Sequence, residues 1–141
     1  MDPLPVDVDR ILREARRIAV VGISARPERD SHRVAAYLQA AGYDIVPVNP
    51  LCVRVLGLCC CVSLRDAPGP IDVVDVFRRP ELIEPVVDDA IAIGARVLWL
   101  QDGVVNEAAA ARARAAGLRV VMDRCMMRDH ATLAAGAPPD E

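Results

Sequence analysis

Apolar residues along this chain follow two rhythms. The runs from Ile18 to Ile23, IDVVDVF, RVLWLQ and RVVM are almost continuously apolar, as in strands buried on both faces of a parallel sheet. Between them apolar positions return every three or four residues, the spacing of one helix face. Val8, Ile11, Leu12 and Ala15 form the first such stripe, with Asp7 placed to cap it and Arg16 and Arg17 suited to its C-terminal end. A second helix is predicted over about Ser31 to Ala41, with Val34, Tyr37, Leu38 and Ala41 inward and Gly42 ending it. Leu82, Ile83, Val86, Val87, Ala90 and Ile91 form a third, stopped by Gly94. Asn106 caps an alanine-rich fourth that runs to Ala116 and ends at Gly117, and MMRDHATLAA predicts a terminal helix.

One strand departs from the rule. In DIVPVNP, Pro47 lacks a ladder donor, which predicts a strand at or near a sheet edge, or a bulge. The segment LCVRVLGLCCCVSL that follows reads as a loop with a short strand around Cys59 to Val62. Strand and helix thus alternate about five times, which predicts an α/β fold: a single doubly wound, Rossmann-like domain over residues 1–135 with a mostly parallel sheet of five or six strands. Residues 136–141 are expected to form a loose tail. Right-handed crossovers would bring every strand C-terminus to one edge, where a ligand belongs.

Composition narrows the chemistry. The chain has 141 residues, 53% of them hydrophobic, enough for one core and too few for two ordinary domains. A net charge of −3 argues against nucleic acid or a membrane surface as partner. All 17 basic residues are arginine, so a Walker-type phosphate lysine and a Schiff-base lysine are excluded. The N-terminus lacks the charged start and apolar core of a signal peptide, and no apolar run approaches the roughly 18 residues of a membrane span, so a cytoplasmic protein is expected. Five cysteines, three of them adjacent at Cys59, Cys60 and Cys61, do not form a secreted disulfide framework, and reduced thiols are expected.

The residues just after the predicted strands share a character. Ser24, Arg26, Pro27 and Ser31 follow the first, Asn49 and Pro50 the second, Phe77, Arg78 and Arg79 the third, and Gln101, Asp102 and Gly103 the fourth. Hydroxyls, amides and guanidinium groups there surround a helix N-terminus, whose free N–H groups and positive dipole end suit an anion such as phosphate. A dinucleotide fingerprint would need G-x-G-x-x-G and an acid on the ribose about 20 residues on. This chain offers Gly22 alone and carries Asn49 at the end of its second strand, which counts against NAD.

The pieces VVGISARPERDSHRVAAYL, GYDIVPVNP, VLG, VSL, IDVVDVFRRPE, AIAIGARVLWLQDGVVNE and GLRVVMDRC, in that order, resemble the small bacterial and archaeal CoA-binding proteins. Their Rossmann-type domain is similar to the CoA-binding domain of the succinyl-CoA ligase α subunit, and the resemblance runs from about Ile18 to Leu133. It implies a coenzyme A site in which Gly22, Ser24, Arg26, Pro27 and Ser31 hold the phosphate end. Val48, Asn49 and Pro50 would border the nucleotide, Val76, Phe77 and Arg78 would pack against and neutralise it, and Gln101 would face the pantetheine. Two departures stand out: Ser31 is followed by His32 where relatives commonly have an aromatic residue, and the three adjacent cysteines replace a polar residue, an aromatic and a proline.

No catalytic arrangement stands out. His32 and His130 belong to no Ser/His/Asp order, no carboxylate pair emerges, and no metal site is expected, since C-x-x-C is missing. The ligase that shares this domain phosphorylates a histidine in a further domain, and no counterpart of that histidine is expected here. Cys125, in DRCMMRDH, follows the last strand near a helix start and beside Arg124, an environment in which a thiol can enter a mixed disulfide with CoA. The sequence therefore predicts a non-catalytic protein that binds CoA or acyl-CoA. The alternatives are a redox-responsive NAD(H)-binding module and the CoA-binding subunit of a multi-chain acyl-CoA ligase.

Overall fold

A computed structural model describes residues 6–136. The first stripe folds as α1, Val8–Glu14, and the Asp7 carboxylate accepts from Arg10 N at 3.0 Å. The helix stops before the arginines expected to finish it. Ala15 is already extended, and Arg17 opens β1, Arg17–Val21, with its guanidinium on Asp44 (Nε–Oδ2 2.7 Å). β1 ends at Val21 because Gly22, at φ +86°, turns the chain in a region that side chains avoid. After α2, Asp30–Ala40, comes β2, Asp44–Val48.

The segment expected to be a loop with one short strand is a small hairpin. β3, Arg54–Val55, pairs antiparallel with β4, Leu58–Cys59, across a turn in which both Leu56 and Gly57 have positive φ (54° and 76°). A parallel bridge between Val48 and Cys61 then returns the chain to the outside of β2. A 3-10 turn, Leu64–Asp66, leads to β5, Val73–Val76. Another, Pro80–Leu82, precedes α3, Ile83–Ala92, and takes Leu82 out of the predicted helical stripe to 46% exposure. The remaining elements are β6, Val97–Leu100, α4, Glu107–Ala115, β7, Arg119–Met122, and α5, Met126–Ala134. Asn106 caps α4 as expected, its side chain accepting from Ala109 N at 3.0 Å. Beyond Gly136 the expected loose tail lies outside the described residues.

Among the described residues the main sheet has five strands in the order β2-β1-β5-β6-β7, all parallel, with Pro47 on an edge strand as its missing donor requires. Alternate residues of each strand feed two cores. Ala19, Val21, Val74, Val76, Leu98 and Leu100 pack with α3 and α4, while Ile18, Val20, Val73, Val97, Trp99 and Val121 pack with α1, α2 and α5. The continuous apolar runs thus serve both faces, and each fully buried large side chain contributes about 1.5–3 kcal/mol. α5 is fastened to α2 by a 2.9 Å hydrogen bond between Tyr37 and His130 Nδ1. No helix among the described residues is long and apolar enough to cross a membrane.

Candidate functional site

The order of the strands locates the site. Sheet building reverses direction between β1 and β5, and in open α/β sheets the crevice at such a reversal, beyond the strand C-termini, receives the ligand. Here the crevice begins with Gly22 lying on the chain after β5. A Cβ built on Gly22 would stand 2.4 Å from the Phe77 carbonyl oxygen and 3.4 Å from Arg78 Nε. Only glycine permits this approach. The Phe77 N–H in turn donates to the Val21 carbonyl at 2.9 Å, and Gly22 N donates to the Val48 carbonyl at 2.9 Å, so three strand ends are tied together.

The turn from Gly22 to α2 is built by side chains. Ser31 Oγ accepts from Ser24 N at 2.9 Å, and Ser24 Oγ accepts from Arg26 N at 3.0 Å. Each hydroxyl keeps its own proton to donate. Asn49 Nδ2 donates to the Ile23 carbonyl at 2.7 Å while Asn49 Oδ1 accepts from Leu51 N at 2.8 Å. No side chain caps α2, whose N-cap residue is Arg29, so its first-turn N–H groups remain available to an anion. Arg26, Pro27 and Arg29 are exposed around it.

Phe77, Arg78 and Gln101 line a cleft of about 520 Å³ between the start of α2 and the ends of β5, β6 and β7. Val34, Val104 and Met127 give it an apolar lining, and Arg33, Arg79 and Arg128 add charge. The acids in its wall are already engaged: Asp30 with Arg33, and Asp102 with Arg128 through two bonds of 2.8 and 2.9 Å. That pairing holds the Asp102 carboxyl below the usual range. Arg78 has no ion-pair partner among the described residues. A second cavity, about 410 Å³, lies at the opposite edge of the sheet beside Arg96 and Arg119, remote from the strand C-termini.

The residues singled out in the sequence do not all face one space. Val48 and Val76 are buried in the core under α3 and α4 and bring only backbone to the edge. Pro50 is exposed beside Asn49. Gln101 is 5% exposed, and its Oε1 accepts from Met126 N at 3.2 Å, starting α5. Cys125 is the N-cap residue of α5 and is buried at the cleft. Met127 and Arg128 were missed, although the rule that strand C-termini converge extends to β7 and would have reached them. Asp75 was missed as well. It sits in β5 between Val20 and Trp99, wholly buried, and neither carboxylate oxygen has a partner. Burial pushes its carboxyl well above the usual carboxylate range.

A five-stranded parallel sheet with helices on both faces and an arginine-lined cleft beyond its strand C-termini defines a Rossmann-like α/β fold. This chain belongs to the CoA binding domain family, whose model matches residues 16–131. It is 43% identical over 130 residues to the uncharacterized protein YneT of Bacillus subtilis, covering 92% of this chain and 96% of that one. A hypothetical protein from Pyrococcus horikoshii is 42% identical with a TM-score of 0.88, over 95% of this chain and 97% of that chain. The dinucleotide-forming acetyl-coenzyme A synthetase 1 of Candidatus Korarchaeum cryptofilum, in complex with phosphate and ADP, is 26% identical with a TM-score of 0.72. That match takes in 83% of this chain but 27% of the synthetase.

Proposed function

We propose that this protein is a cytoplasmic CoA or acyl-CoA binding module that carries out no reaction of its own. The observation that carries the reading is the junction of Gly22 with Phe77 and Arg78, which sets an unpaired guanidinium beside an uncapped helix start. CoA brings a diphosphate and a 3′-phosphate, and guanidinium groups pair bidentately with phosphate oxygens. In this reading Ser24, Arg26 and Ser31 meet the phosphates with the α2 N–H groups, Asn49 and Pro50 border the nucleotide, and Phe77, Val34 and Met127 cover apolar parts of the ligand. The cleft is within the roughly 300–1,000 Å³ typical of small-molecule sites. Gln101, the amide that lines it, is occupied with a backbone group, which suits holding a ligand better than transforming it.

Calorimetric titration with CoA, dephospho-CoA and NAD tests this. CoA is expected to saturate one site, with dephospho-CoA weaker by roughly ten-fold or more for the loss of charge-assisted bonds. Absence of binding by CoA, or preference for NAD, would overturn the reading.

A further inference from the structure

The four cysteines between residues 52 and 61 lie outside the cleft, yet two of them adjoin the turn proposed to hold phosphate. Cys52 ends the tight turn that begins at Asn49, its N–H donating to the Asn49 carbonyl at 3.3 Å. Its Sγ lies 3.8 Å from the Ile23 carbonyl, the same oxygen that Asn49 Nδ2 holds. Across the hairpin, Cys60 N donates to the Val53 carbonyl at 2.9 Å, which sets Cys60 opposite the residue that follows Cys52. The Cys60 side chain packs against the core that contains Ile23, and the Cys52 thiol is among the groups that push the Cys60 thiol up. The two other cysteines are directed elsewhere: Cys59 is exposed, and Cys61 packs on the opposite core.

We propose that Cys52 and Cys60 form a reversible intramolecular disulfide with small-molecule disulfides as oxidant, and that this bond loosens the Ile23 to Ser31 turn. The second half rests on the CoA reading above. Both thiols are only partly buried, within reach of a small reagent. Burial and the thiols of Cys52, Cys61 and Cys59 push the Cys60 thiol up, so its thiolate is scarce at neutral pH and it enters second. Cys52, as thiolate, attacks one sulfur of the small disulfide and expels the first thiolate, which takes up a proton. Cys60 then loses its proton, attacks Cys52 Sγ and expels the second. Two protein S–H bonds and one S–S bond are broken, one S–S bond and two S–H bonds are formed, and two electrons pass from the protein to the small disulfide.

The bond draws Cys52 Sγ away from the Ile23 carbonyl and shifts the Asn49 turn that shares this oxygen. Losing support worth one hydrogen bond should weaken CoA roughly three- to ten-fold.

The test treats the reduced full chain with oxidised glutathione, alkylates the remaining thiols, and maps peptides by mass. Expected is the loss of two hydrogens with a Cys52–Cys60 linked peptide, reversed by dithiothreitol and absent in Cys60→Ser but kept in Cys59→Ser. A different linkage, stable glutathione adducts without a crosslink, or five alkylatable thiols would overturn the pair. Titration of both forms with CoA then tests the coupling, and equal affinity would overturn it. If the reduced protein binds no CoA, the proposed function falls and the coupling with it, while the crosslink is judged on the peptide map alone.

Discussion

Two parts of the same sheet edge, the turn after β1 and the turns after β6 and β7, are both rich in arginine and are built in opposite ways. After β1, hydroxyls and an amide hold the backbone, and Arg26 and Arg29 are left exposed with no ion-pair partner among the described residues. After β6 and β7 the guanidinium groups are tied: Arg128 to Asp102, and Arg124 to Asp129 at 2.8 and 3.0 Å. The first turn spends its uncharged polar groups on shape and leaves its cations unpaired among the described residues. The other uses its cations to close itself. Residue type therefore does not tell the two sets of arginines apart; partnership does.

The glycines of the two turns give the largest test. Gly22 and Gly103 both have positive φ, +86° and +79°, but a Cβ on Gly22 meets the Phe77 carbonyl whereas one on Gly103 meets nothing within 4 Å. Gly22→Ala is expected to cost about 3 kcal/mol or more, combining backbone strain with a forced separation of β1 from β5, and to abolish CoA binding. Gly103→Ala should cost about 1 kcal/mol, the conformational part alone. Chemical denaturation of both variants measures the gap, and equal losses would show that the close approach of Gly22 to Phe77 is not what holds the first turn.

Asp75, buried in β5 between Val20 and Trp99, gives the second test. The folded protein holds its proton more tightly than an unfolded chain, whose aspartate titrates near 3.9. Its contribution to stability is therefore full below about pH 4 and is lost as pH rises toward the folded-state pKa, at about 1.4 kcal/mol per pH unit. Asp75→Asn removes this dependence. Urea denaturation between about pH 4 and pH 8 should show wild type falling relative to the variant as pH rises. Parallel curves would mean that the carboxyl finds a partner in solution.

Much of the fold was legible because it follows from period and punctuation. Continuous apolar runs bounded by Gly22, Gly42, Gly94 and Gly117, with Asp7 and Asn106 as caps, produce the observed elements to within a few residues. Pro47 correctly marked the edge. The hairpin was hidden because its turn puts Leu56, a residue that disfavours φ of 54°, where Asn or Asp would have announced it. Asp75 hid inside an apolar strand, since no sequence rule predicts an acid with both oxygens buried and unpaired. At the site, the sequence could name the residues after each strand but not their partners. That Gln101 starts α5, that Asn49 holds Ile23, and that Asp102 claims Arg128 are facts of tertiary distance.

The smallest effects are the most pointed, because they separate position from partnership. Arg78 and Arg128 line the same cleft, but only Arg128 has an acid on it. Arg78→Ala should weaken CoA roughly ten- to hundred-fold, the loss of a charge-assisted contact, while Arg128→Ala should change it by less than about two-fold. Asp102→Asn then converts the closed turn toward the open kind. The Arg128 guanidinium loses its carboxylate and joins the cations facing the cleft, so CoA affinity should rise by roughly two- to three-fold, more at low salt than at high. Calorimetry of the three variants at two ionic strengths reads this directly. If Asp102→Asn leaves affinity unchanged while Arg78→Ala abolishes it, position in the cleft, rather than freedom from a partner, determines which arginine the ligand uses.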